Sequence, residues 1–84
     1  MAEEGSRFGL LIMDPDRVIF EGKVSSLFLK GDTGEFEILP FHYPVLSLLA
    51  EGDIVIDWKS VLAIKSGILR FFMNECVIIV ELKE

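Results

Sequence analysis

Turn-forming residues interrupt this chain so often that helices have almost no room. Asp14-Pro15-Asp16, Gly22, Gly31-Asp32-Thr33-Gly34, Pro40 and Pro44, Glu51-Gly52-Asp53, Lys59-Ser60, Ser66-Gly67 and Asn74-Glu75 recur at roughly seven to ten residues, which leaves strands of about 4–7 residues between them. The intervening segments are rich in Val, Ile, Leu and Phe, which pack well on a pleated surface. The predicted strands are Phe8–Met13, Val18–Glu21, Val24–Lys30, Glu35–Leu39, Val45–Ala50, Ile54–Trp58, Val61–Ser66, Ile68–Met73 and Cys76–Leu82. The 84 residues suit one domain, residues 1–84, with residues 1–6 expected to be loose. The expected fold class is therefore all-β: a two-sheet β-sandwich or flattened barrel of about nine to ten short strands around one core.

The side-chain pattern is uneven. In Glu35–Leu39, Phe36 and Ile38 share one face and Glu35 and Glu37 the other, the period of a half-buried strand. Ile54, Ile56 and Trp58 share a face in the same way, with Asp57 opposite. Val24–Lys30 instead carries apolar residues on both sides, and Ile68–Met73 is apolar on both faces apart from Arg70. A small sandwich has one interior, so outer faces should be polar. An ill-patterned outer face predicts a docking patch larger than a few hundred Å², unless the excess is only scattered exposed apolar groups.

Composition narrows the functional classes. Half the residues are hydrophobic (51%) and 26% are charged, which opposes disorder, and the net charge is −6. The cationic residues are scattered and no aromatic–basic stripe exists, so nucleic-acid binding is not expected. The longest apolar runs, Leu10–Met13 and Cys76–Val80, fall far short of the ~20 residues of a membrane helix. The acidic start, Met1-Ala2-Glu3-Glu4, is unlike a secretory signal, and a lone Cys76 fits a reducing compartment.

No group of residues forms an evident catalytic set. His42 is the only histidine, it sits between Pro40 and Pro44, and no G-x-S-x-G elbow accompanies it. It reads as a loop-capping side chain. One His and one Cys far apart lack zinc-site spacing, so no metal is expected. The carboxylate pairs Asp14/Asp16, Glu35/Glu37 and Asp53/Asp57 read as solvated turn or strand-face groups, because acid–base work needs burial of one partner. Gly31-Asp32-Thr33-Gly34 lacks the lysine and serine of a phosphate loop and reads as a hairpin with glycine where φ is positive. Cys76 reads as a small core residue. An acidic β-domain of this kind is expected to act by contact, with no catalytic residue and no cofactor.

The string Gly34-Glu35-Phe36-Glu37-Ile38-Leu39-Pro40-Phe41-His42-Tyr43-Pro44-Val45-Leu46 resembles the N-terminal β-domain of the epsilon subunit of F-type ATP synthases, called delta in mitochondria. That family typically reads G-E-[LF]-G-[IV]-L-P-G-H-A-P-[LV]-L at this place. The likeness extends to Asp14–Gly22, an opening hairpin, to Val24–Gly31, to Glu51-Gly52-Asp53-Ile54, and to Ser66-Gly67-Ile68-Leu69. It runs from about Phe8 to Leu82. Glu37 stands where a Gly is usual, Phe41 replaces the Gly of P-G-H-A-P, Tyr43 replaces its Ala, and Lys65-Ser66-Gly67 has lost one Gly.

The resemblance implies a non-catalytic rotor part of the central stalk, one that grips the gamma subunit and rests on the polar loops of the c-ring, so that ring rotation drives the shaft during ATP synthesis coupled to ion transport. It implies c-ring contact at Glu35 and Asp32, and gamma-subunit contact at His42, Phe41, Tyr43 and Ser47. It places the chain peripherally on the cytoplasmic face of the energy-coupling membrane, without insertion. A C-terminal helical hairpin, which in relatives binds ATP or brakes the catalytic hexamer, is not expected, and neither is its ATP site. The rival readings are a free-standing β-sandwich that binds a small ligand or a peptide strand at an open edge, and a minimal hydrolase built on His42 with an Asp or Glu in a deep cleft.

Overall fold

The computed structural model describes residues 6–84, so all but the last residue of the segment expected to be loose lies outside it. The described residues form eight strands and no helix: β1 (Phe8–Met13), β2 (Val18–Val24), β3 (Leu27–Gly31), β4 (Gly34–Ile38), β5 (Val45–Leu49), β6 (Gly52–Ile56), β7 (Ser60–Phe72) and β8 (Glu75–Leu82). The hydrogen-bonded path runs β2-β1-β8-β7-β5-β3-β4, with β6 between β3 and β7. β1 pairs parallel with β8, and every other pairing is antiparallel.

The 13-residue β7 serves both layers of the sandwich. Its first part, Ser60–Ile64, pairs with β6, and its later part, Gly67–Phe71, pairs with β5. β5 and β6 keep one register against β7 on both sides of Ala50-Glu51, so the three strands form one long bent hairpin. Against β8 the register shifts between Ile64 and Ser66, which leaves Lys65 as the extra residue of a bulge. The inward face changes parity there: Leu62 and Ile64 face the core before the bulge, Leu69 and Phe71 after it. One layer is thus β2-β1-β8-β7-β5, and the other is β4-β3-β6 with the start of β7.

Inward side chains from every strand meet in one core, including Phe8, Leu10, Ile12, Val24, Leu27, Leu29, Ile38, Leu49, Ile54, Leu69, Phe71 and Ile78. Phe8 and Phe71 meet edge to face at 5.5 Å between ring centroids, the arrangement their quadrupoles favour. Cys76 is fully enclosed and burial pushes its thiol up to about 12, which removes thiolate reactivity at neutral pH.

The structure differs from the predicted strands at three places. Val24 ends β2, and the chain breaks at Ser25-Ser26 before β3. Ser66-Gly67 is not a turn but the middle of β7, where a Cβ on Gly67 would lie 3.0 Å from the Ile79 carbonyl oxygen, so glycine allows a close approach of strands. Trp58 does not share a strand face with Ile54 and Ile56. It lies in a turn with Asp57, at φ values of 61° and 55°, and Lys59 N–H donates to the Ile56 carbonyl across it.

Candidate functional site

The outer face of β5, β7, β8 and β1 is the least sandwich-like part of the molecule. Cross-strand register puts Leu48, Ile68, Ile79 and Met13 in one outward row, and Leu46, Arg70, Val77 and Leu11 in the next. Phe72 stands beyond them, opposite Glu75. Leu46 is 70% exposed and Leu48 58%, and Ile68, Phe72 and Ile79 are also exposed. With strands about 4.8 Å apart and same-face residues about 6.8 Å apart, two such rows project roughly 300 Å² of apolar surface, the size at which exposed patches are commonly functional. The alternation that would make this face polar is missing because β5, the later half of β7 and β8 are apolar on both sides.

The other outer face is mixed. There Glu37, Phe28, Val55 and Val61 form one row, and Lys30 stands opposite Glu35 in the next. Trp58 lies over Phe28 at 6.2 Å between ring centroids.

The loop between β4 and β5 borders the apolar face and is held by Asn74. Met73 and Asn74, at φ 51° and 62°, make the two-residue turn between β7 and β8, with Phe72 and Glu75 paired at its base. From that turn the Asn74 side-chain oxygen accepts the Phe41 N–H at 2.7 Å, its amide nitrogen donates to the Arg7 carbonyl at 2.8 Å, and its backbone carbonyl accepts the Gly9 N–H at 3.1 Å. Phe41 has φ 64°, a left-handed conformation costly for a side chain with a Cβ. Gly in the family pattern at this place has that physical reason. The clasp keeps Phe41 there, 72% exposed.

His42 holds its own loop. Its Nδ1–H donates to the Tyr43 carbonyl at 2.7 Å, because a carbonyl only accepts, and its ring meets Phe71 edge-on at 5.8 Å and Tyr43 at 4.4 Å. The hydroxyl of Ser47 donates to the Leu48 carbonyl at 3.0 Å. The β3–β4 hairpin turns at Asp32-Thr33, and Gly34 takes the positive φ, 139°, that glycine tolerates.

Of the residues singled out from the sequence, Asp32, Glu35, His42, Tyr43 and Ser47 line one shallow groove of about 530 Å³ between the β3–β4 hairpin and β5, and Phe41 stands outside its lining. Two contacts expected to serve different partners thus share a border. Leu46 and Leu48 belong to the groove and also to the apolar face, and sequence reasoning did not select them. The failure of Val45–Ala50 to alternate was the available signal. Asn74 gave no signal beyond its turn, because its partners are 33 and 67 residues away.

No deep enclosure surrounds His42, as a hydrolase would need, and among the described residues no three His, Cys, Asp or Glu side chains gather as a metal set. Asp57 is not a free carboxylate facing Asp53: its Oδ1 accepts the N–H groups of Ser25 and Ser26 at 2.7 and 3.1 Å and closes the gap between β2 and β3. Asp14 similarly caps its turn, accepting from Asp16 and Arg17 at 2.8 and 3.0 Å.

Comparison with known proteins supplies the family. The chain is 37% identical over 76 residues to the ATP synthase epsilon chain of a Nitratiruptor species, and 38% identical over 76 residues to that of Campylobacter concisus. Each match takes in 86% of this chain and 59% of the relative, so the chain spans about three-fifths of the length of those proteins. Its fold is similar to a chain in the mitochondrial ATP synthase central stalk and c-ring structure from Tetrahymena thermophila, at a TM-score of 0.75 and 17% identity, over 87% of this chain and 62% of that one. Residues 7–84 match the family described as the ATP synthase Delta/Epsilon chain, beta-sandwich domain. This chain belongs to that family.

Proposed function

We propose that this chain is a non-catalytic, epsilon-type subunit of the ATP synthase central stalk, which joins the c-ring to the gamma shaft so that rotation is passed between them. The observation that carries this reading is the apolar outer face of β5, β7, β8 and β1. A joint that transmits torque needs a large interface with an apolar centre, of ~2,000 Å² or more in obligate complexes. In this reading the gamma subunit covers that face, with Phe41, His42, Tyr43 and Ser47 along its border.

The c-ring loops meet the acidic hairpin tip. Asp32 and Glu35 are both exposed there, and of the two Asp32 is the freer charge, since Lys30 stands across the strand pair from Glu35. The net charge of −6 suits cationic loops on the ring. No helix of the described residues is long and apolar enough to cross a membrane. The proposed location is peripheral, on the cytoplasmic face of the energy-coupling membrane.

Two experiments test the proposal. Co-expressed with the alpha, beta and gamma subunits of its own organism, the chain is expected to co-purify with gamma, and a chain recovered free would refute the stalk role. In reconstituted vesicles Glu35→Lys and Asp32→Lys are expected to weaken the coupling of ion flow to ATP turnover while the domain stays folded. Full coupling in the double variant would remove the hairpin tip from the ring contact.

A further inference from the structure

Arg70 is the one charged side chain at the centre of the apolar face. Leu46 and Val77 flank it across the sheet, and Ile68 and Phe72 flank it along β7. Among the described residues the ion pairs are Lys23–Glu75 and Lys83–Glu51, and Arg70 takes part in neither. Glu75, two positions along the next strand from Val77, is the nearest carboxylate by register and is already engaged by Lys23 at 3.9 Å. Beside Arg70 lies a mostly apolar depression of about 390 Å³ lined by Pro44, Val45, Leu46, Arg70, Phe71 and Phe72, in which Arg70 is the one charged residue.

Anything that covers this face strips water from Arg70. A buried guanidinium without a counter-charge is strongly destabilising, whereas a carboxylate meets its planar fork with two parallel hydrogen bonds. The net charge of −6 draws cationic partners to the molecule as a whole, so an anion at this point sets orientation more than attraction. A second copy of this chain fits poorly, since the two rows around Arg70 offer only Leu, Ile, Val and Met to an incoming guanidinium, and Glu75, opposite Phe72 in the row beyond, is already engaged by Lys23.

We propose that the partner on this face presents an Asp or Glu carboxylate to Arg70, with an apolar side chain seated in the adjoining depression. The inference rests on the stalk reading above, so the partner is the gamma subunit. Arg70 then fixes the angular register of the joint, and the surrounding apolar rows supply its area.

Binding of the wild-type chain, Arg70→Lys, Arg70→Met and Arg70→Glu to co-expressed alpha–beta–gamma complex of the same organism tests this, with thermal melts to confirm that each exposed-site variant folds. Arg70→Met should weaken binding ~30-fold or more and Arg70→Glu ~1,000-fold, with Arg70→Lys within ~10-fold of wild type. Reversing one gamma carboxylate to Arg should restore at least ~10-fold of the affinity lost in Arg70→Glu. Arg70→Met binding like wild type, while Leu48→Glu still weakens binding ~100-fold, would overturn the ion pair and leave the stalk reading intact. Loss in every Arg70 variant with no reversal that rescues would also overturn it. A wild-type chain that does not bind gamma removes both, as does an Arg70-dependent dimer of this chain in place of the gamma complex.

Discussion

The two outer faces of the sandwich are built from the same strand chemistry and differ in what they present. On the β5-β7-β8-β1 face, two rows of outward residues hold Arg70 as their only charge. On the β4-β3-β6 face, Glu35, Glu37, Lys30 and Asp53 interleave with Phe28, Val55 and Val61. A solvated face can tolerate scattered apolar groups, but it has no reason to exclude charge across four adjacent strands. That contrast is what the proposed gamma contact rests on, and it shows that the core alone does not explain the apolar content of the chain.

Matched substitutions give the largest expected contrast. Leu48 and Val61 are 58% and 61% exposed, on the first and second faces respectively. Leu48→Glu should weaken gamma binding ~100-fold while Val61→Glu changes it less than ~3-fold, and both should leave stability within about 1 kcal/mol of wild type. Equal effects on binding would erase the distinction between the faces.

Each face also borders a clasp made by a residue with positive φ. Asn74 holds the Phe41 loop beside the first face, and Asp57 closes the β2–β3 gap near the second. Asn74→Ala and Asp57→Ala each remove at least two hydrogen bonds and put alanine at a left-handed position, a loss of about 2–3 kcal/mol by chemical denaturation. Only Asn74→Ala should also reduce gamma binding, because only its loop borders the face proposed to meet gamma. Phe41→Gly should raise stability by about 1 kcal/mol through relief of the left-handed conformation, partly offset by glycine's entropy. If Phe41 touches gamma, the same variant binds more weakly although it is more stable.

The smallest effect lies in the core that both faces share. The unfolded Cys76 thiol ionises near its ordinary value of 9.0, while burial keeps the folded thiol protonated to about 12. The unfolded state therefore releases its proton first as pH rises, and stability falls, by about 1 kcal/mol between pH 9 and pH 10. Subtracting the pH profile of Cys76→Val should isolate this decline, and an unchanged slope in the variant would place its source elsewhere.

How much was legible follows from the range of the interactions. Local signals gave the all-β class, the hairpin at Asp32-Thr33 and the inward Phe36 and Ile38, all of which depend on residues a few positions apart. Ser66-Gly67 misled because glycine serves a turn and a close strand approach equally well, and the approach involves Ile79. Asp57-Trp58 misled because a left-handed turn without glycine carries no compositional mark, and its support comes from Ser25 and Ser26. The border residues of the candidate site came from a local motif. The apolar face came only in part: the broken alternation of Ile68–Met73 marked one of its strands, but the face becomes one surface only when β5, β7, β8 and β1 lie side by side.

The most direct test of that surface is photo-crosslinking in the assembled ATP synthase, with a benzophenone amino acid placed at position 48 in one variant and at position 61 in another. A gamma-subunit adduct is expected from position 48 and none from position 61. An adduct to gamma from position 61, with position 48 free in solvent, would refute the proposed contact.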